Sequence, residues 1–149
     1  MSAEPDKHGE LDPADTRDIY SETVINHAMN PRNVGYMQDP DGFARVTGPC
    51  GDTMEIWIRV MDGVIVKATF YTDGCGTSIA CGSMITEISK GKSISKAQKT
   101  TQYDVLDALG GLPQESKHCA LLAANTLKSA IRDYLAMERE PWKRAYRKY

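Results

Sequence analysis

Between residues 43 and 72 apolar and polar positions alternate with period two. Met54, Ile56, Ile58 and Val60 fall on one side of the chain, and Glu55, Trp57, Arg59 and Met61 on the other. That is the pattern of a strand with one buried face. Val64, Val66, Ala68 and Phe70 repeat it. Asp62-Gly63 lies between the two runs, and both residue types tolerate positive φ, so a β-hairpin is predicted. Residues 43–47 supply a third, antiparallel strand. Elsewhere the period is helical. Ile19, Val24, Ile25 and Ala28 predict a helix ending at Asn30-Pro31, because the residue before proline avoids the α region. Ile79, Met84, Ile85 and Ile88 predict a helix from about Thr77 to Lys90, stopped by Gly91. A short helix over 93–99 and another over 101–109, ended by Gly110-Gly111, follow. The longest helix begins near Ser116 and carries Ala120, Ala123, Ala124, Leu127, Ile131 and Tyr134 on one stripe until Pro141. The predicted fold class is α+β: a small three-stranded antiparallel sheet with helices packed on one face.

A chain of 149 residues with a hydrophobic fraction of 41% and a charged fraction of 26% fits one soluble domain. Its net charge of −2 gives no basic field for nucleic acid. The charge is uneven, however. Residues 1–18 hold Glu4, Asp6, Glu10, Asp12, Asp15 and Asp18 with little apolar content, which predicts a disordered acidic arm. Residues 19–138 form the predicted domain, and 139–149 a basic tail with Arg139, Lys143, Arg144, Arg147 and Lys148. No apolar run reaches the ~20 residues a membrane span needs. The N-terminus lacks an apolar signal core and is poor in arginine. The expected location is therefore cytoplasmic and reducing, where cysteines bind metal or react more often than they form disulfides.

Three of the four cysteines sit at ends of predicted elements. Cys50 is in Gly48-Pro49-Cys50-Gly51-Asp52 before a strand, and Cys75 is in Asp73-Gly74-Cys75-Gly76 between a strand and a helix. Cys119 follows Lys117-His118 at the start of the longest helix. Soft thiolates suit zinc, copper(I) and iron–sulfur clusters. Three thiolates leave a fourth tetrahedral position, which Asp52 or His118 could fill. A helix N-terminus and Lys117 would favour a Cys119 thiolate, making it a candidate low-pKa nucleophile. Spacing alone is a weak signal, because no C-x-x-C pair is present and a lone cysteine is often a small buried hydrophobe.

At these residues the chain resembles the IscU/NifU-type (NifU N-terminal domain-like) iron–sulfur scaffold family. The matching stretches are Tyr20-Ser21-Glu22, Val24-Ile25-Asn26-His27, Asn30-Pro31-Arg32-Asn33-Val34-Gly35, Cys50-Gly51-Asp52, Gly74-Cys75-Gly76-Thr77-Ser78-Ile79-Ala80, Thr86-Glu87, Lys90-Gly91-Lys92, Leu112-Pro113 and His118-Cys119. They run in order from about residue 20 to 135. The resemblance implies a scaffold without turnover of its own. It would dock a cysteine desulfurase, receive sulfur as a persulfide, bind iron, build a [2Fe–2S] cluster and pass it to recipient apoproteins. It implies Cys50, Cys75 and Cys119 as cluster ligands, with Asp52 and His118 beside them, and Cys119 as persulfide acceptor. It also implies zinc at the same site, and an iron donor as a further partner, on a monomer or dimer.

The departures from the family pattern carry information too. The interval from Cys75 to Cys119 lacks the long insertion of the related zinc-dependent sulfur-acceptor branch. That branch, a zinc-bound sulfurtransferase component that builds no cluster, is the alternative function; a structural zinc domain is a weaker third. The family's chaperone-recognition stretch Leu-Pro-Pro-Val-Lys reads Leu112-Pro113-Gln114-Glu115-Ser116, which speaks against a dedicated Hsp70-type chaperone. Cys81 is an additional cysteine, read as a small residue at a close helix contact, with an extra ligand or persulfide relay as the sharper reading. His27 reads as a packing or capping histidine and His8 as solvated. Trp57, off the apolar strand face, points to packing under a helix or contact with a partner. The basic tail reads as a solvated end, with contact to an acidic partner surface as the less favoured reading.

Overall fold

The computed structural model describes residues 19–146. The acidic arm 1–18 with His8, and the tail end 147–149, lie outside the described residues. Three strands, β1 (Gly42–Thr47), β2 (Thr53–Met61) and β3 (Val64–Thr72), form an antiparallel sheet in the order β1-β2-β3. Asp62 (φ 53°) and Gly63 (φ 75°) make the β2–β3 turn, both in the left-handed region that a two-residue hairpin loop demands. Helices α1 (Glu22–Met29), α2 (Gly76–Ser89), α3 (Ile94–Ala97), α4 (Gln102–Leu109) and α5 (Lys117–Arg139) complete the domain, and a 3₁₀ segment, Pro141–Tyr146, follows. Among the described residues, no helix is long and apolar enough to cross a membrane.

α5 packs on β1 and β2, and α2 on β3, so both helices cover one face of the sheet. Met54, Ile56, Ile58, Ala68 and Phe70 meet Ala120, Ala123, Leu127 and Ile131 of α5 in one core cluster. The α5 stripe is buried as its spacing predicts, except Tyr134, which is half-buried. α1 starts at Glu22 rather than Ile19. Ser21 caps it by accepting a hydrogen bond from the Val24 N–H at 3.1 Å, leaving Ile19 and Tyr20 before the first turn. α4 begins with a Thr101/Asp104 capping box and ends at Gly110.

Two strand expectations are corrected. Val66 does not share the core face with Ala68 and Phe70: it is exposed, and Ile65 is fully buried instead. The pairing shifts from Arg59↔Lys67 to Val60↔Ile65, so Val66 is an extra residue on β3 and the side-chain alternation changes parity there. Trp57 is buried, but not under a helix. Tyr36 covers it edge-on, with ring centroids 5.0 Å apart, and Phe43 lies beside it at 5.3 Å. The chain before β1 makes this possible. Asn33–Gly35 runs along β3, where Asn33 O accepts from the Phe70 N–H at 2.9 Å and Gly35 N–H donates to Phe70 O at 2.9 Å.

His27 is a packing histidine. It is buried on α1, and its Nδ1 lies 2.7 Å from Ser83 Oγ of α2. Burial, then the Arg32 charge, lowers its pKa, with Glu87 pulling the other way. The unfolded chain, titrating near pH ~6.5, therefore takes up this proton before the folded chain does. The stability that neutral His27 contributes is complete above that pH and is lost as pH falls toward the depressed native pKa. The urea midpoint is expected to drop between pH 7.5 and pH 5, and to drop less in His27→Gln. Equal drops would remove His27 as the source.

Candidate metal and cluster site

Three separate segments meet at one end of the sheet. The Cys50 turn is closed by Gly51 N–H donating to Gly48 O (3.0 Å) and Gly48 N–H to Asp52 O (2.8 Å). It is joined to the Cys75 loop by Thr53 N–H donating to Asp73 Oδ1 (2.8 Å) and Thr72 Oγ1 donating to Thr53 O (2.7 Å). The start of α5 brings His118 and Cys119 against both. Asp52, His118 and Cys119 each offer a ligand atom, and these atoms lie within 4.8 Å of one another. Cys50 Sγ is 3.1 Å from His118 Nε2, and Cys119 Sγ is 3.7 Å from the same nitrogen. Four of the five expected residues are thus drawn together around the imidazole. Cys75 stands outside that three-residue group, at the loop rim, as the N-cap residue of α2.

The electrostatic roles of the cysteines differ from expectation. Cys119 is 2% exposed. Burial raises its pKa, the Ser78 hydroxyl offsets part of this, and the charges of Cys75, Asp52 and Cys50 raise it further. The predicted low-pKa thiol at the α5 N-terminus is therefore reversed: desolvation and neighbouring negative charge outweigh the helix dipole. Lys117 is exposed, lines a cleft of about 630 Å³ with Tyr103 and Asp107, and is not among the groups acting on Cys119. Cys75, one of two exposed thiols, is favoured as thiolate. Partial burial opposes ionisation, but the amides and hydroxyls of Ser78 and Thr77 outweigh it and hold the pKa below the ordinary value. These first-turn groups stabilise the thiolate even though the side chain makes no regular cap bond. Beside Cys75 opens an apolar groove of about 280 Å³, lined by Tyr20, Val24, Ile25, Ala28 and Met29 of the α1 segment.

Cys81 is fully buried in the core cluster, and burial pushes its thiol far up. It fits the reading of a small residue at a close contact. A Cys81→Ser variant is expected to assemble clusters to the wild-type absorbance; loss of the chromophore with an unchanged melting temperature would make it a ligand or relay.

Two residues without an assigned role in the sequence reading belong to the site. Ser78 Oγ donates to Asp52 Oδ2 at 3.0 Å and lies 3.5 Å from Cys119 Sγ. Asp73 ties the two cysteine loops together. Gly74 is required by closeness: a Cβ there would lie 2.5 Å from Ser78 Oγ and 2.9 Å from Asp52 Oδ2. The Asp-Gly pair ahead of Cys75 was the available signal for a tight loop. Ser78 stands within the Gly74–Ala80 stretch that carries the resemblance, and only its contacts with Asp52 and Cys119 single it out.

The geometry defines a class: a small α+β domain that presents cysteine, aspartate and histidine donors from two loops and the first turn of a helix at a partly exposed edge. Residues 19–141 match the NifU-like N terminal domain family, and the chain belongs to that family. It is 50% identical over 117 residues to the iron-sulfur cluster assembly scaffold protein IscU 1 of Archaeoglobus fulgidus, covering 78% of this chain and 76% of that one. It is 46% identical over 120 residues to the iron-sulfur cluster assembly scaffold protein IscU of Escherichia coli (strain K12), covering 77% of this chain and 93% of that one. The crystal structure of a NifU-like protein (N-terminal) from Brucella abortus superposes with a TM-score of 0.65 at 21% identity. It covers 80% of this chain and 96% of that one, and shares the fold.

Proposed function

We propose that this protein is a scaffold on which an iron–sulfur cluster is assembled and from which it is handed on. The convergence of Asp52, His118 and Cys119 within 4.8 Å, with Cys50 against the same imidazole, carries the reading. In this reading Cys50, Cys75 and Cys119 hold the iron of a [2Fe–2S] cluster, and Asp52 or His118 completes the set. Thiolates suit the soft iron–sulfur unit, and the single oxygen or nitrogen donor leaves one corner exchangeable. Zinc, with the same tetrahedral preference, takes the site when no cluster is built.

Sulfur arrives from a cysteine desulfurase. The Cys119 thiolate attacks the outer sulfur of the donor's persulfide, a new S–S bond forms on Cys119, and the donor cysteine leaves as thiolate. Reduction of that sulfur to sulfide takes two electrons from a separate reductant. Iron comes from an iron donor, and recipient apoproteins take the finished cluster. The unit that does this is residues 19–138, with 1–18 and 139–149 as appendages, as monomer or dimer. A cytoplasmic, reducing setting belongs to the proposal; it keeps the four cysteines, all free in the structure, as thiols.

Anaerobic incubation with Fe²⁺, L-cysteine and a cysteine desulfurase tests the proposal. Sulfide-to-iron charge-transfer bands in the visible spectrum that depend on cysteine support it. A colourless protein that gains a persulfide mass on Cys119 would instead identify the zinc-bound sulfur acceptor.

A further inference from the structure

We propose that Ser78 is a positioning residue: its buried hydroxyl holds the Asp52 carboxylate in the orientation that makes Asp52 a usable and exchangeable ligand. This rests on the scaffold reading. Ser78 is fully buried on the first turn of α2, three residues after Cys75. Its hydroxyl donates to Asp52 Oδ2 at 3.0 Å, a closer contact than the 3.5 Å to Cys119 Sγ. One carboxylate oxygen is thereby fixed and the other is left for a metal. The same Oγ stands 3.5 Å from Cys119 Sγ, so it also separates two groups that would carry like charge.

The seat is built for this hydroxyl. The absent Cβ of Gly74 is what admits Ser78 Oγ, at 2.5 Å from where that carbon would be. Backbone and side chain together press the hydroxyl between Asp52 and Cys119. Groups that hydrogen-bond a ligating carboxylate fix its direction, and their removal commonly lowers metal affinity about 10–100-fold. Alanine at 78 removes the hydroxyl alone and adds no bulk.

The test is a double-mutant cycle on the full chain with Ser78→Ala, Asp52→Ala and the pair. Two quantities are read: Zn²⁺ affinity of the cluster-free protein by competition with a chelator, and the rate of cluster transfer to an apo-ferredoxin. The expected result is about a 10-fold or greater loss of Zn²⁺ affinity in Ser78→Ala. Transfer is slowed in both single variants, and Ser78→Ala costs much less in the Asp52→Ala background than in the wild type. Residues that act through one another are non-additive in this way, whereas a general structural role adds independently. Wild-type affinity and transfer in Ser78→Ala, or fully additive effects, would overturn the inference. Should Ser78→Ala melt early, the zinc cycle is run below its transition, and additivity still decides. Failure of the wild-type protein to form any cluster would count against the scaffold reading; the zinc cycle judges Ser78 and Asp52 independently of it.

Discussion

A Cys119→Ser variant given Fe²⁺, L-cysteine and a cysteine desulfurase is expected to stay colourless and to carry no persulfide. Two losses coincide at this position. A hydroxyl cannot form the S–S bond that receives sulfane sulfur, and as a hard neutral donor it replaces a thiolate poorly at iron. The fold has little reason to change. Cys119 is 2% exposed and packs at the start of α5, and serine occupies nearly its volume while still meeting Ser78 Oγ, which lies 3.5 Å from the sulfur it replaces. Cys50→Ser and Cys75→Ser separate the two roles: both are expected to lose the charge-transfer bands while Cys119 still gains persulfide mass. Absorption spectra and intact mass on the same samples check all three. Wild-type absorbance in Cys119→Ser would remove it from the ligand set, and persulfide mass on another cysteine would remove it as acceptor.

Phe70→Ala is expected to cost about 3–5 kcal/mol of folding stability, a large share of the ~5–15 kcal/mol that a domain commands. Phe70 is 1% exposed, near the C-terminal end of β3. Its ring fills the space that a side chain at Gly82 of α2 would take: a Cβ there would come within 2.4 Å of the ring. Gly82 has no side chain that could swing into the space that truncation leaves. Cavity and transfer costs then add. The backbone of Phe70 also anchors Asn33–Gly35, so looseness at β3 reaches the segment that carries Tyr36 over Trp57. Urea denaturation measures the effect. A loss below about 1 kcal/mol would show that neighbouring residues refill the cavity. Phe70→Leu, which keeps most of the volume, is expected to lose less.

Much of this molecule is written locally. Period-two alternation, Asp62-Gly63 and the helical stripes are decided by neighbours within a few residues, so hairpin, sheet and helices could be read directly. The placement of Cys50, Cys75 and Cys119 was legible for the same reason: cysteines flanked by glycine, or set at a helix start, mark ends of elements. What could not be read was everything that depends on distant segments meeting. The extra residue at Val66 flips a face because β2 and β3 pair with a shift at Arg59/Val60. Trp57 is covered because a loop preceding the sheet folds back over it.

The site divides along the same line. By itself the sequence determined which donors are available and that they sit at chain turns. Only the tertiary structure decided how they stand to one another: Cys50 meets His118 across 68 positions, and Ser78 meets Cys119 across 41. It also decided their chemistry. A thiol at a helix N-terminus reads as acidic, yet Cys119 is pushed the other way because α5 buries it beside Asp52 and other thiols, while Cys75 is the one held low. Desolvation and the sum of neighbouring charges belong to the packed site rather than to any stretch of chain, because they are set by which segments exclude water from the sulfur.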